Sequence, residues 1–130
     1  MLTLFKSKPI LKDLIPDNYI DIHSHLLPGI DDGAKTIEDS LHLVKALQGF
    51  GTSEFITTPH IIHHFWENNY ENIKTNEKDT LNKFSNNNLN IPFRSAAEYM
   101  MDDNFVKLFQ SEKLLTLKDN YVLVEMSYIN

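Results

Sequence analysis

Residues 19–36 read YIDIHSHLLPGIDDGAKT, and this stretch sets the expected fold. Residues 19–23 are a short β-prone run ending in a polar cluster. The segment LPGIDDGAKT is a loop, with Pro28, Gly29 and the Asp32-Gly33 pair as turn chemistry. Thr36 is a good N-cap, and Glu38 and Asp39 follow in a first turn where the helix dipole favours anions. Ile37, Leu41, Val44 and Leu47 recur at helical spacing until Gly49 and Gly51 end the run.

Working outward, residues 53–58 (SEFITT) form a second short strand stopped by Pro59. Residues 68–85 are polar but helix-compatible, with Ile73, Leu81 and Phe84 as the buried side, and residues 86–88 break the helix. Residues 91–97 give a third strand. Residues 103–110 give a short helix placing Phe105, Leu108 and Phe109 inward, and residues 121–126 (YVLVEM) a fourth strand. The order β-α-β-α-β-α-β implies an α/β fold of parallel strands joined by crossover helices. Residues 1–18, broken at Pro9 and Pro16, read as an N-terminal arm with a helical turn near Leu11 to Ile15, preceding a domain over residues 19–130.

A hydrophobic fraction of 42% supports an ordinary core within one domain of 130 residues. No apolar run reaches the roughly 18–20 residues needed to cross a bilayer, so membrane insertion is not expected. The first residues lack an apolar run followed by a small-residue cleavage site, and a cytoplasmic location is expected. The chain has no cysteine, which rules out within it disulfides, thiolate metal sites and a cysteine nucleophile. A net charge of −6 and scattered Lys and Arg give no footprint for nucleic acid.

Each expected strand delivers a candidate metal ligand at its C-terminal end: His23 and His25, then His60, then Glu98, then Glu125. In a parallel α/β barrel those ends form one rim. The i, i+2 spacing of His23 and His25 lets both imidazoles reach one cation from an extended chain. A lone His-x-His is more often a solvent-exposed pair; the specificity comes from the whole set. Glu98 and Glu125 stand in apolar surroundings, where a carboxylate is costly unless paired or metal-bound. Asp31 and Asp32 serve either as turn formers before Gly33 or as ligands for a further cation. His63 and His64 either face solvent or contact a phosphate, and Phe65, Trp66 and Tyr70 either pack or line a substrate rim. His42 reads as a helix-surface residue. Mixed imidazole and carboxylate ligands suit Mn, Fe or Zn, and residue type does not choose among them.

Taken together, YIDIHSHLLPGIDDGAKT followed in order by TTPH, AAEYMM and YVLVEMS resembles the PHP-domain tyrosine phosphatases of bacterial capsule and exopolysaccharide operons. The resemblance runs from about Tyr19 to the last residue. It implies the N-terminal portion of a distorted (β/α)7 barrel with up to three Mn²⁺ ions, and hydrolysis of phosphotyrosine on a protein such as a bacterial tyrosine kinase tail that controls polysaccharide export. By the same resemblance, His23, His25 and Glu98 would bind a first metal, Glu98 would bridge to a second held also by Glu125, and Asp32 and His60 would hold a third. Asp31 receives no role that way. Ile61-Ile62-His63-His64 stand where family members carry phosphate-contacting Arg residues. Family members are roughly twice as long, so the domain over residues 19–130 is expected to be incomplete, lacking further strands, another His ligand and an Asp-x-His pair. The alternatives are a PHP phosphoesterase for a small phosphomonoester such as histidinol phosphate, or a non-catalytic metal-binding or interaction module. The apolar end YVLVEMSYIN, an uncovered strand, leads to an expectation of self-association.

Overall fold

A computed structural model describes residues 8–111 and 113–126. After a 3₁₀ turn at Leu11–Asp13 come β1 (Tyr19–Asp21), α1 (Ile37–Gln48), β2 (Thr52–Thr57), β3 (His60–Ile61), α2 (Tyr70–Asn86), β4 (Phe93–Ser95), β5 (Glu98–Met101), α3 (Asp103–Ser111) and β6 (Leu123–Met126). Among the described residues the named strands pair in parallel, in the orders β1-β2-β4 and β3-β5-β6. The α/β class with parallel strands and intervening helices is as expected.

Two of the expected strands are each followed by a further short strand in a second sheet. The second strand stops before Pro59 as expected, at Thr57, and a separate strand, β3, begins at His60; the register Phe55↔Phe93 before the gap and His60↔Glu98 after it keeps one offset. Pro59 has no N–H to donate, but its carbonyl accepts from Glu98 N–H at 3.0 Å, and Thr57 O accepts from Ala96 N–H at 2.9 Å. The ladder therefore passes through the break. The third strand is shorter than expected, Phe93–Ser95 instead of 91–97, and β5 follows it after Ala96-Ala97 in the other sheet. Glu98 follows the end of β4 and itself opens β5, just as His60 follows β2 and opens β3. Residues 127–130 of the apolar C-terminal stretch lie outside the described residues.

The core follows from the apolar periodicities. Phe55 and Val44 are fully buried with Ile73 and Phe84 of α2, and Phe84 meets Phe93 edge-on at 5.2 Å. Each such side chain contributes about 1.5–3 kcal/mol on burial. Thr36 caps α1 as expected: its hydroxyl accepts from Asp39 N–H at 3.2 Å, and the Asp39 carboxylate accepts from Thr36 N–H at 3.0 Å. The second helix starts at Tyr70, capped reciprocally by Asn69 and Asn72. Glu77 ties α2 to β4 by accepting from the backbone N–H and hydroxyl of Ser95, with Lys74 beside it.

The third helix differs from expectation. Phe105 packs on Tyr99 with centroids 5.4 Å apart, and Leu108 is half-buried, but Phe109 is 68% exposed. One turn beyond Phe105, Phe109 leans on that ring at 6.4 Å instead of entering the core. Among the described residues no helix is long and apolar enough to cross a membrane.

Candidate metal centre

The backbone after β1 is pinned to β2 before it presents any ligand. Ser24 O accepts from Thr58 N–H at 2.7 Å and from the Thr57 hydroxyl at 2.8 Å, while Thr57 Oγ1 accepts from Leu26 N–H at 2.9 Å. The Ser40 hydroxyl donates to Leu26 O. Gly33 packs directly on His25: a Cβ there would lie 2.2 Å from His25 O and 2.3 Å from His25 Cβ, so only glycine permits this approach. Gly29, at φ +68°, turns the loop back so that its N–H reaches Ala34 O at 2.8 Å.

These restraints bring together residues far apart in sequence. One carboxylate oxygen, Glu98 Oε2, lies 3.2 Å from His23 Nε2, 3.3 Å from His25 Nε2 and 3.4 Å from His60 Nδ1. His60 Nδ1 is also 3.0 Å from Glu125 Oε1, and His60 Nε2 is 3.6 Å from Asp32 Oδ1. Glu98 is buried, whereas His23 is exposed at the mouth. The donors fall into three overlapping groups: His23, His25 and Glu98; His60, Glu98 and Glu125; and His25, Asp32 and His60. His60 thus stands with Glu98 and Glu125 as well as with Asp32.

The geometry suits cations better than it suits the side chains alone. His60 Nδ1 and Glu125 Oε1 are both buried and make no hydrogen bond despite their proximity. Such unsatisfied groups are costly without a partner. Two donors held on one cation at about 2.0–2.2 Å stand about 3.0–3.5 Å apart, the spacing seen around Glu98 and His60. Imidazoles mixed with carboxylates are a donor set for divalent transition metals.

Asp31, whose role the sequence leaves open, is the principal residue that sequence reasoning missed. Its carboxylate is buried; Oδ2 lies 2.8 Å from His25 Nδ1 and accepts from His60 N–H at 3.1 Å, and Oδ1 accepts from Gly33 N–H at 2.9 Å. With the proton on Nδ1, His25 turns Nε2 toward Glu98, the arrangement by which carboxylates orient metal-binding histidines. The hydrogen bond to Asp31 raises the His25 imidazole above its ordinary 6.5; burial opposes this, and the charges of Asp31, Glu98 and Asp32 add to it. Burial would lift the Asp31 carboxyl, but its bonds from His25, Gly33 and His60 prevail and hold it below its ordinary 3.8. The Gly33 following the Asp pair was the available signal, since a turn that tight aims one carboxylate back at its own loop.

Trp66, expected either to pack or to line a substrate rim, packs against the site, and Asn68 carries no signal in the sequence. The Trp66 indole stacks on His60 at 4.8 Å and 15°, and His25 lies 4.4 Å from the same imidazole. The Asn68 amide donates to His60 O at 2.8 Å and to Ile30 O at 2.9 Å. Tyr70 packs against the core and Phe65 is exposed. His42 is on the exposed face of α1. His63 and His64 sit on the exposed turn between β3 and α2, grouped with Glu67 rather than with the Glu98 donors.

Comparison with known proteins places this architecture. Residues 19–130 match the family model described as capsular polysaccharide synthesis, CpsB/CapC. The tyrosine-protein phosphatase YwqE of Bacillus subtilis (strain 168) is 29% identical over 111 residues, which cover 84% of this chain and 43% of YwqE. CapC of Staphylococcus aureus is 25% identical over 107 residues, or 82% of this chain and 42% of CapC. The tyrosine-protein phosphatase CpsB of Streptococcus agalactiae is 44% identical over 41 residues, covering 32% of this chain and 17% of that protein. The chain therefore spans less than half the length of these curated relatives. A crystal structure from the pair YwqE of Bacillus subtilis and CpsB of Streptococcus pneumoniae, described as unique metal-dependent tyrosine phosphatases, superposes with a TM-score of 0.76 at 25% identity, covering 85% of this chain and 45% of that one. Parallel strands, a convergent His and Glu cluster and a match over residues 19–130 lead to one assignment: the chain belongs to the CpsB/CapC family of capsular polysaccharide synthesis.

Proposed function

We propose that this chain hydrolyses phosphotyrosine on protein substrates using divalent cations, Mn²⁺ in the first instance, held by His23, His25, Asp32, His60, Glu98 and Glu125. The observation that carries the reading is the single oxygen Glu98 Oε2 ringed by nitrogens of His23, His25 and His60 at 3.2–3.4 Å. Cations held there would supply Lewis-acid polarisation of a phosphoryl oxygen and offset its charge. The chain's own residues do the rest of the positioning. Asp31 keeps the His25 proton on Nδ1, Gly33 lets the loop close on His25, and Trp66 and Asn68 hold the His60 ring and backbone.

The family's link to capsule synthesis supports a substrate such as the tail of a bacterial tyrosine kinase, and with it a cytoplasmic setting and control of polysaccharide export. Residues 1–18 act in this reading as an arm ahead of the domain. The partly exposed β6, with Met126 at 64%, supports self-association along that edge.

The test is release of phosphate from a phosphotyrosine peptide as Mn²⁺ is titrated, beside a His23→Ala, His25→Ala variant and a small phosphomonoester such as histidinol phosphate. Turnover of the peptide that needs Mn²⁺ and is lost in the variant supports the reading. Faster turnover of the small ester moves the substrate class. Cation binding with no turnover at any Mn²⁺ concentration would make the chain a metal-binding module.

A further inference from the structure

We propose that His63, His64 and Glu67 form a second, solvent-facing cation site, separate from the Glu98 centre, that takes one borderline transition cation such as Zn²⁺. Adjacent residues in an extended chain point to opposite sides. Here His64 adopts φ +68°, in the left-handed region, and the two imidazoles come side by side with centroids 3.7 Å apart. Holding a non-glycine residue there costs about 1–3 kcal/mol, so the arrangement needs something to sustain it.

The turn supplies the first part of that support. Ile62 N–H donates to Trp66 O at 2.9 Å, Trp66 N–H to Ile62 O at 2.9 Å and Phe65 N–H to Ile62 O at 3.1 Å. Trp66 is anchored in turn by its stack on His60. The rings are therefore held together before any ligand arrives. Glu67 then brings a carboxylate: Oε1 lies 3.6 Å from His63 Nδ1 and 4.0 Å from His64 Nδ1, and the three ligand atoms lie within 4.8 Å of one another. These separations slightly exceed the spacing of donors on one cation, so a small rotation of exposed side chains completes the site.

Donor chemistry selects the ion. Two imidazoles and one carboxylate favour Zn²⁺, Ni²⁺ or Cu²⁺ over Mg²⁺ or Ca²⁺, which prefer all-oxygen shells. Three protein donors leave a coordination position open to solvent. With all three residues exposed, the ion should exchange readily.

The experiment is calorimetric titration of Zn²⁺ into the whole chain and into three variants: His63→Ala with His64→Ala, Glu67→Gln, and His23→Ala with His25→Ala. The expected result is one fewer equivalent of Zn²⁺ for the His63, His64 variant while its Mn²⁺ binding persists. The same equivalent should survive in the His23, His25 variant, and Glu67→Gln should weaken it by about tenfold or more. A His63, His64 variant binding as many Zn²⁺ ions at wild-type affinity overturns the proposal. So does a Glu67→Gln variant with an unchanged Zn²⁺ isotherm, which keeps the test decisive if the double variant misfolds.

Discussion

The β1-β2-β4 and β3-β5-β6 sheets use the same parallel pairing but are covered to different degrees. In the first, Phe55 is fully buried and Phe93 nearly so, with α1 and α2 contributing Val44, Ile73 and Phe84 to the same core. In the second, α3 buries none of its residues, Val124 is 38% exposed and Met126 64%. The candidate centre sits across the seam. His23, His25 and Asp31 come from the loop pinned to the first sheet, while His60, Glu98 and Glu125 lie on the strands of the second. The contrast separates roles: the first sheet supplies the closed core, and the second supplies Glu98 and Glu125, which a cation would have to draw together.

Substitutions can break that contrast. Phe55→Ala should cost about 3–5 kcal/mol in urea or thermal unfolding, since it empties a closed core. A loss under about 1 kcal/mol would mean that the first sheet does not supply the closed core. Asp31→Asn leaves the fold in place but loosens the His25 ring; Mn²⁺ affinity should fall about 10–100-fold by calorimetry. Unchanged affinity would reduce Asp31 to a turn former. Glu77, which ties α2 to β4, tests the same sheet through pH. Burial works to raise its pKa, but bonds from Lys74 and Ser95 prevail and hold it below the ordinary 4.5. The unfolded chain thus binds that proton more readily, so the stability Glu77 adds is present above 4.5 and is lost as pH falls through its lower folded value. Melting curves of Glu77→Gln should show a shallower acid decline than wild type; parallel curves would deny the tie. At the small end, Phe109→Ser on the open helix should change stability by no more than about 0.5 kcal/mol. A large loss there would show that the second sheet is covered after all.

Much of this was legible in the residues, and the exceptions share a cause. The parallel strands, the Thr36 cap and the nearness of His23, His25, His60, Glu98 and Glu125 follow from periodicity and from the rule that parallel strands share one rim, while Asp32 enters only through the family resemblance. Pro59 ends β2 as read, but it does not reveal that a new strand starts at His60, where Glu98 N–H donates to the Pro59 carbonyl across the gap. Phe109 misleads because helical spacing names a face without saying how far the opposing sheet extends. Asp31 and Asp32 are indistinguishable as letters; the turn at Gly33 sends the first inward to His25 Nδ1 and leaves the second exposed beside His60. Trp66 reaches His60 through a turn closed by backbone bonds, which composition does not reveal.

The most direct measurement is a calorimetric titration of Mn²⁺ into the chain and into its Glu98→Gln variant. The wild-type chain should bind Mn²⁺, and the variant, having lost the one carboxylate that meets His23, His25 and His60, should lose most of that binding. Equal binding by the two, or none by the wild type, would contradict a cation centre built around Glu98.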